Sequence, residues 1–213
     1  MRADGAHGFA PWYDESGRGD DLVLLIHGSM DRSGGLLKLG RRLTDRVRVI
    51  RYDRRGYGRS VPCDGPFGIV HQVDDAEAVL AGRRAVVFGH SYGGNVALAL
   101  AARRPDLVRA VAVYEPPLSW FDWWPGTTAG SNALATRGDP ADAAERFMRR
   151  VVGDEKWERL PPSTREARRS EGAAMVGELS DVRERAPWDP AAIQCEVVAM
   201  HGERGAPHHR HAV

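Results

Sequence analysis

The chain is poor in several things, and each shortage narrows what it can be. Cysteine occurs twice in 213 residues, at Cys63 and Cys195, with no metal-ligand spacing. That disfavours a disulfide-stapled secreted scaffold and makes a reduced compartment the expectation. Lysine is confined to Lys38 and Lys156, so arginine carries nearly all the positive charge. The 30 basic residues against 29 acidic ones leave a formal net charge of +1, with no field to attract nucleic acid or an anionic membrane. No apolar run has the length of a membrane span. The start, Met1-Arg2-Ala3-Asp4-Gly5, lacks the apolar stretch of a signal peptide. The expectation is a single soluble, cytoplasmic domain over 1–213 acting on a small molecule, with no nucleic-acid or membrane partner.

What is present is concentrated in one stretch, from Val86 to Leu100. A short β-branched and aromatic run meets an Ala- and Leu-rich helix pattern, with Gly89-His90-Ser91-Tyr92-Gly93 at the junction. A serine on such a strand-to-helix turn sits in a strained conformation, so small residues are needed two positions either side. The helix that follows offers backbone N–H groups to developing negative charge. Ser91 is therefore the candidate nucleophile, and the Tyr92 N–H a candidate oxyanion donor. A nucleotide-binding loop is excluded, because no Lys-Ser or Lys-Thr follows and the Gly-x-Gly-x-x-Gly spacing is missing.

Around this stretch strands and helices alternate. Residues up to Gly8 read as loose and 9–13 as a short edge strand. Residues 22–26 form a continuous apolar run, as in a strand buried on both faces. Ser33 can cap a helix over 34–44. Strands are predicted over 47–52, 85–88 and 108–114, and helices over 70–80 and 95–104, the last stopped by Pro105. The alternation predicts an α/β fold with a mostly parallel central sheet and helices on both faces. From 118 to about 189 the rhythm breaks. An aromatic cluster (Trp120, Phe121, Trp123, Trp124) leads into amphipathic helices. One begins at Asp139-Pro140 with Ala143, Phe147, Met148 and Val151 on its inner face, and another runs over 165–179. The strand pattern resumes over 195–200.

Three signatures stand in order: His27-Gly28-Ser29, then Asp53-Arg54-Arg55-Gly56-Tyr57-Gly58-Arg59-Ser60, then Gly89-His90-Ser91-Tyr92-Gly93-Gly94. With the helical insertion and the late strand, residues 22–205 closely resemble the α/β-hydrolase fold superfamily. The likeness is strongest to compact bacterial hydrolases with a helical cap, a group of esterases, lactonases, haloperoxidase-like enzymes and carbon–carbon bond hydrolases.

The resemblance implies a cap over about 118–190, Ser91 as nucleophile, and the backbone N–H groups of Ser29 and Tyr92 as the oxyanion hole. It implies no cofactor and no metal. His27 and His90 take bracing roles, and Asp53 with Arg55 a scaffold pair. Trp120, Trp123 and Trp124 form either a substrate-binding wall or cap-to-sheet packing. Arg165, Arg168 and Arg169 form a solvated helix face or contact an anionic substrate. The acid of the family follows the late strand in a Gly-x-x-Asp turn, which here reads Gly202-Glu203-Arg204-Gly205. Glu115 and Glu203 are the alternatives, Glu115 being favoured because a strand end fixes a carboxylate better than a loop. Family members carry the base histidine on a loop after one further strand and helix, a unit with no counterpart before Val213. His201 reads as a core or bracing residue, and His208, His209 and His211 lie in the tail.

The function implied is a serine hydrolase that cleaves a small apolar ester, lactone or related carbonyl compound through an acyl-enzyme. The alternative is a non-catalytic ligand-binding protein of the same fold, since the base is not identifiable.

Overall fold

Alternation along single strands builds a sheet with two covered faces. In the computed structural model, which describes residues 1–3, 8–135 and 138–212, strand β2 (Leu22–Ile26) sends Leu22, Leu24 and Ile26 into one apolar cluster and Val23 and Leu25 into another. This is the period-two pattern of a strand packed on both sides.

In chain order the elements begin with β1 (Tyr13–Gly17), β2, α1 (Leu37–Leu43), β3 (Arg48–Tyr52), α2 (Ile69–Leu80), β4 (Ala85–His90), α3 (Tyr92–Arg103) and β5 (Val108–Tyr114). Then come α4 (Ala129–Ala135), α5 (Pro140–Val152), α6 (Asp154–Arg159), α7 (Pro162–Arg169), α8 (Gly172–Glu184), β6 (Glu196–Met200) and α9 (Pro207–His211). The sheet order is β1-β3-β2-β4-β5-β6. The β1–β3 pairing is antiparallel, and the four other strand pairings are parallel. Leu36 of the turn before α1 belongs to the smaller cluster with Leu25 and Val49, and Leu39 and Leu43 of α1 pack against it. Helices α2 and α3 bury their apolar faces in the larger one. Among the described residues no helix is long and apolar enough to cross a membrane.

Several sequence expectations shift. The edge strand is Tyr13–Gly17 rather than 9–13, because pairing with β3 selects the register. Residues 1–3 are not loose: Arg2 bridges Trp12, and Ala3 N–H donates to Pro11 O at 3.1 Å. The rest of that expectation, over 4–7, lies outside the described residues. The helix expected over 34–44 starts as a 3₁₀ turn, Ser33–Leu36, and the Ser33 side chain makes no cap. The helix expected over 165–179 is two helices, α7 and α8. They part at Glu171, which is buried and accepts hydrogen bonds from Gly58 N–H and Arg32. Asp139 does cap α5, accepting from Ala141 N–H at 2.8 Å. Val151, expected on the inner face of α5, is 58% exposed.

The helices between β5 and β6 lie over the loops that end the parallel strands. Glu178 of α8 reaches Arg54 and Tyr57 beyond β3. Asp181 accepts the Ile69 N–H at the start of α2, at 2.7 Å. These helices thus sit at the same end of the sheet as Ser91.

Candidate active site

Ser91 joins β4 to α3 with φ at +53°, a region that side chains other than glycine rarely occupy. Two interactions hold the turn: its N–H donates to Tyr114 O at 2.8 Å, and its carbonyl accepts from Gly94 N–H at 2.7 Å. The flanking glycines are required by close approach. A Cβ at Gly89 would lie 2.2 Å from Gly93 O, and one at Gly93 would lie 2.4 Å from Ile26 O. Tyr92 opens α3, so its N–H has no acceptor in a preceding turn.

The loop after β2 presses on this turn: a Cβ at Gly28 would stand 2.9 Å from Ser91 Cβ. Two of its carbonyls are held by Arg54. Arg54 Nε donates to His27 O at 2.9 Å, and Nη2 donates to Gly28 O at 3.0 Å. Because a trans peptide holds C=O and the following N–H in opposite directions, fixing Gly28 O aims the Ser29 N–H away from Arg54. The buried His27 ring accepts the Arg54 backbone N–H on Nε2 at 2.9 Å. Its proton therefore sits on Nδ1, which donates to Gly28 O at 2.8 Å. Burial, and then the charge of Arg54, hold its pKa well below the usual imidazole value.

Glu115 follows β5, also at positive φ (+52°). Its N–H donates to Met200 O at 2.9 Å, and its Oε1 accepts from Gly202 N–H at 3.0 Å. That oxygen fills the space a side chain at Gly205 would enter, 2.5 Å from the position of a Cβ there. Glu203 is exposed.

A cavity of about 740 Å³ opens at Ser91, with Ser29, Trp124, Phe147, Leu179, Arg183, His208 and His209 among its walls. Of the aromatic cluster, Trp124 lines it, its ring centroid 4.6 Å from that of His208. Trp120 instead packs edge-on against Trp188 at 5.7 Å, and Trp123 is 40% exposed with His211 against it at 4.6 Å. His208 and His209 reach the cavity from α9. Burial lowers the pKa of both, while the charge of Glu115 acts in the opposite sense. His201, expected in the core or as a brace, is exposed. Among the described residues no three His, Cys, Asp or Glu side chains converge as a metal-ligand set.

The expected Asp53–Arg55 pair does not form. Asp53 accepts from Ser33 N–H at 2.7 Å and pairs with Arg59 at 2.9 Å. Arg55 instead makes a two-point contact with buried Asp75, both bonds 2.7 Å. Arg165 pairs with Glu158, Arg168 with Glu171, and Arg169 with Asp142 and Glu145. Sequence reasoning missed Arg54 and Glu178, whose bond organises the loop after β2, and Arg183 in the cavity wall. A charged residue within an apolar helix face was the only signal for Glu178, and it names no partner.

Comparison with known proteins points one way. The chain is 35% identical over 104 residues to the 2-(acetamidomethylene)succinate hydrolase of Mesorhizobium japonicum, a stretch covering 47% of this chain and 37% of the relative. It is 34% identical over 119 residues to the pimeloyl-[acyl-carrier protein] methyl ester esterase of Yersinia enterocolitica, covering 54% of this chain and 45% of the relative. The matches thus span less than half the length of these relatives. An alpha/beta hydrolase from Sphaerobacter thermophilus superposes over 100% of this chain and 86% of its own, with a TM-score of 0.72 and 26% identity. The pattern of the alpha/beta hydrolase family matches residues 23–212, and the chain belongs to that family.

Proposed function

We propose that the chain is a serine hydrolase that cleaves a small ester, lactone or related carbonyl compound. The observation that carries this reading is the strained Ser91, set at the head of α3 and sharing one cavity with Ser29 and two histidines. Ser91 Oγ attacks the carbonyl carbon, and the N–H groups of Tyr92 and Ser29 hold the oxyanion. One such donor contributes about 2.7–4 kcal/mol to transition-state stabilisation. The leaving group departs with a proton, and water then releases the acyl group from Ser91. The base in this reading is His208 or His209, with Glu115 as the carboxylate whose charge favours the imidazolium. The helices between β5 and β6 act as a cap, with Trp124, Phe147 and Leu179 holding the apolar part of the substrate. The relatives named above, a succinate-derivative hydrolase and a methyl ester esterase, support the reaction class.

The test is p-nitrophenol release from p-nitrophenyl butyrate by the chain and by Ser91→Ala. Sustained turnover lost in the variant is the expected result, and equal rates overturn the reading. A second reading, a ligand-binding protein without turnover, is favoured by one observation: glycine stands at position 205, where the resemblance puts the acid. Equal rates for the chain and Ser91→Ala are its signature, whereas a single stoichiometric burst marks a working Ser91 and oxyanion hole without a base.

A further inference from the structure

We propose that Arg183 anchors a carboxylate of the substrate, so that the compounds cleaved at Ser91 are half-esters or similar molecules with one anionic end. The inference deepens the serine-hydrolase reading and rests on it for the reaction.

Arg183 lies near the end of α8, is half-buried, and lines the same cavity as Ser91 and Ser29. Its partners are neutral: Nη1 donates to Leu179 O at 2.6 Å, and Nη2 reaches Ser131 Oγ only at 3.4 Å. No carboxylate among the described residues lies within ion-pair distance. Burial weakens its hold on the proton, with no neighbouring acid to offset this. The contrast with nearby arginines is sharp. Arg149, Arg165, Arg168 and Arg169 each have a carboxylate partner, whereas Arg150, on the same cavity wall, is exposed to solvent and Arg146 donates to Ala133 O. A desolvated cation without a counter-charge is costly. Arg183 also lies close over Gly130, its Nη2 2.9 Å from where a Cβ there would stand.

An anionic ligand resolves this arrangement. Guanidinium retains several N–H donors beyond the two used here, in the planar fork that matches a carboxylate. One guanidinium balances one negative charge, which favours a carboxylate over a doubly charged phosphate ester. The same wall includes the apolar Phe147 and Leu179. The ligand is therefore a short apolar body with the reacting carbonyl at one end and the carboxylate at the other.

The experiment is calorimetric titration of the Ser91→Ala chain with monomethyl glutarate and with its neutral counterpart, dimethyl glutarate. The expected result is a preference for the monoanion of roughly 10- to 100-fold, as for a hydrogen-bonded charge. The same titrations on Ser91→Ala/Arg183→Gln should abolish the preference, and Arg183→Lys should restore it only in part, because lysine keeps the charge and loses the fork. Should the Gln variant fail to fold by circular dichroism, the two titrations with Arg183 intact still decide. Equal affinity for both compounds, or binding of neither, overturns the proposal, as does tighter binding of methyl phosphate than of monomethyl glutarate. A preserved preference in a chain that never cleaves p-nitrophenyl butyrate would sink the serine-hydrolase reading and leave the anion site standing. Cleavage of the butyrate ester without any anion preference would do the reverse.

Discussion

Arg54 and Glu178 form an ion pair in which both side chains are completely buried, Nη1 to Oε2 at 2.6 Å, across 124 residues of sequence. Burying two charges is tolerable only when every remaining donor and acceptor is used. Here Tyr57 OH donates to Glu178 Oε1 at 2.7 Å, and the His27 and Gly28 carbonyls accept from the Arg54 Nε and Nη2. The pair thus links α8 to the loop that carries Ser29.

Removing one member should be severe. Glu178→Leu leaves Arg54 uncompensated, and a loss of about 3–5 kcal/mol is expected in urea unfolding. Replacing both residues, Arg54→Met with Glu178→Leu, should cost less stability than the single change. Turnover of p-nitrophenyl butyrate should fall in both variants, because the loop after β2 loses its brace either way. A single variant as stable as the parent would show that the pair is not the clamp described.

Acidification should weaken the fold through His27. Burial, and secondarily Arg54, keep its ring neutral in the folded chain, with a pKa well below the ordinary value of about 6.5. The unfolded chain takes up this proton as pH drops through about 6.5, while the folded chain resists it. The contribution is therefore complete above that pH and is lost progressively below it. His90, lowered chiefly by burial, acts with the same sign. Urea midpoints between pH 7.5 and 5.5 should fall, and the fall should be shallower in His27→Gln. An identical slope in the two proteins would remove His27 from the account.

The glycines flanking Ser91 should tolerate nothing larger. A Cβ at Gly93 would come within 2.4 Å of Ile26 O, a backbone atom of a central strand that cannot step aside. Gly93→Ala is expected to cost about 1–3 kcal/mol, the usual penalty for overpacking, and to displace Ser91. Thermal unfolding and ester turnover measure the two effects. Gly126→Ala is the control, since a Cβ there meets nothing within 4 Å.

Glu115 and position 205 compete for one space. Gly205→Asp would set a second carboxylate against Glu115, whose Oε1 is 2.5 Å from the new Cβ. Crowding and like charge both oppose this. The expected outcome is lost stability and lost turnover in Gly205→Asp, with recovery of both in Gly205→Asp/Glu115→Gly. Failure of the double variant to recover stability would mean that the two positions do not share the space.

Features that depend on a residue's own neighbours were legible in the chain. A strand packed on both faces needs an apolar residue at every position, and 22–26 has one. A position where a Cβ would meet a neighbouring backbone below 3 Å needs glycine, and the spacing around Ser91 announced it. The start of α5 was readable too, because Asp139 caps it through its own next turn. Partner choice was not legible. Asp53 and Arg55 are two apart, yet Asp53 chose Arg59 and Arg55 chose Asp75. Arg165, Arg168 and Arg169 stand out as a charged cluster, yet each finds a carboxylate, while Arg183, on the cavity wall, meets only neutral partners. Side-chain charges act through space over a few ångströms, and only the packing of α5, α7 and α8 over the strand ends decides which of them meet. Patterns of apolar residues and glycine built the sheet and its serine turn; the folded arrangement alone paired the charges and set Arg183 in the cavity wall.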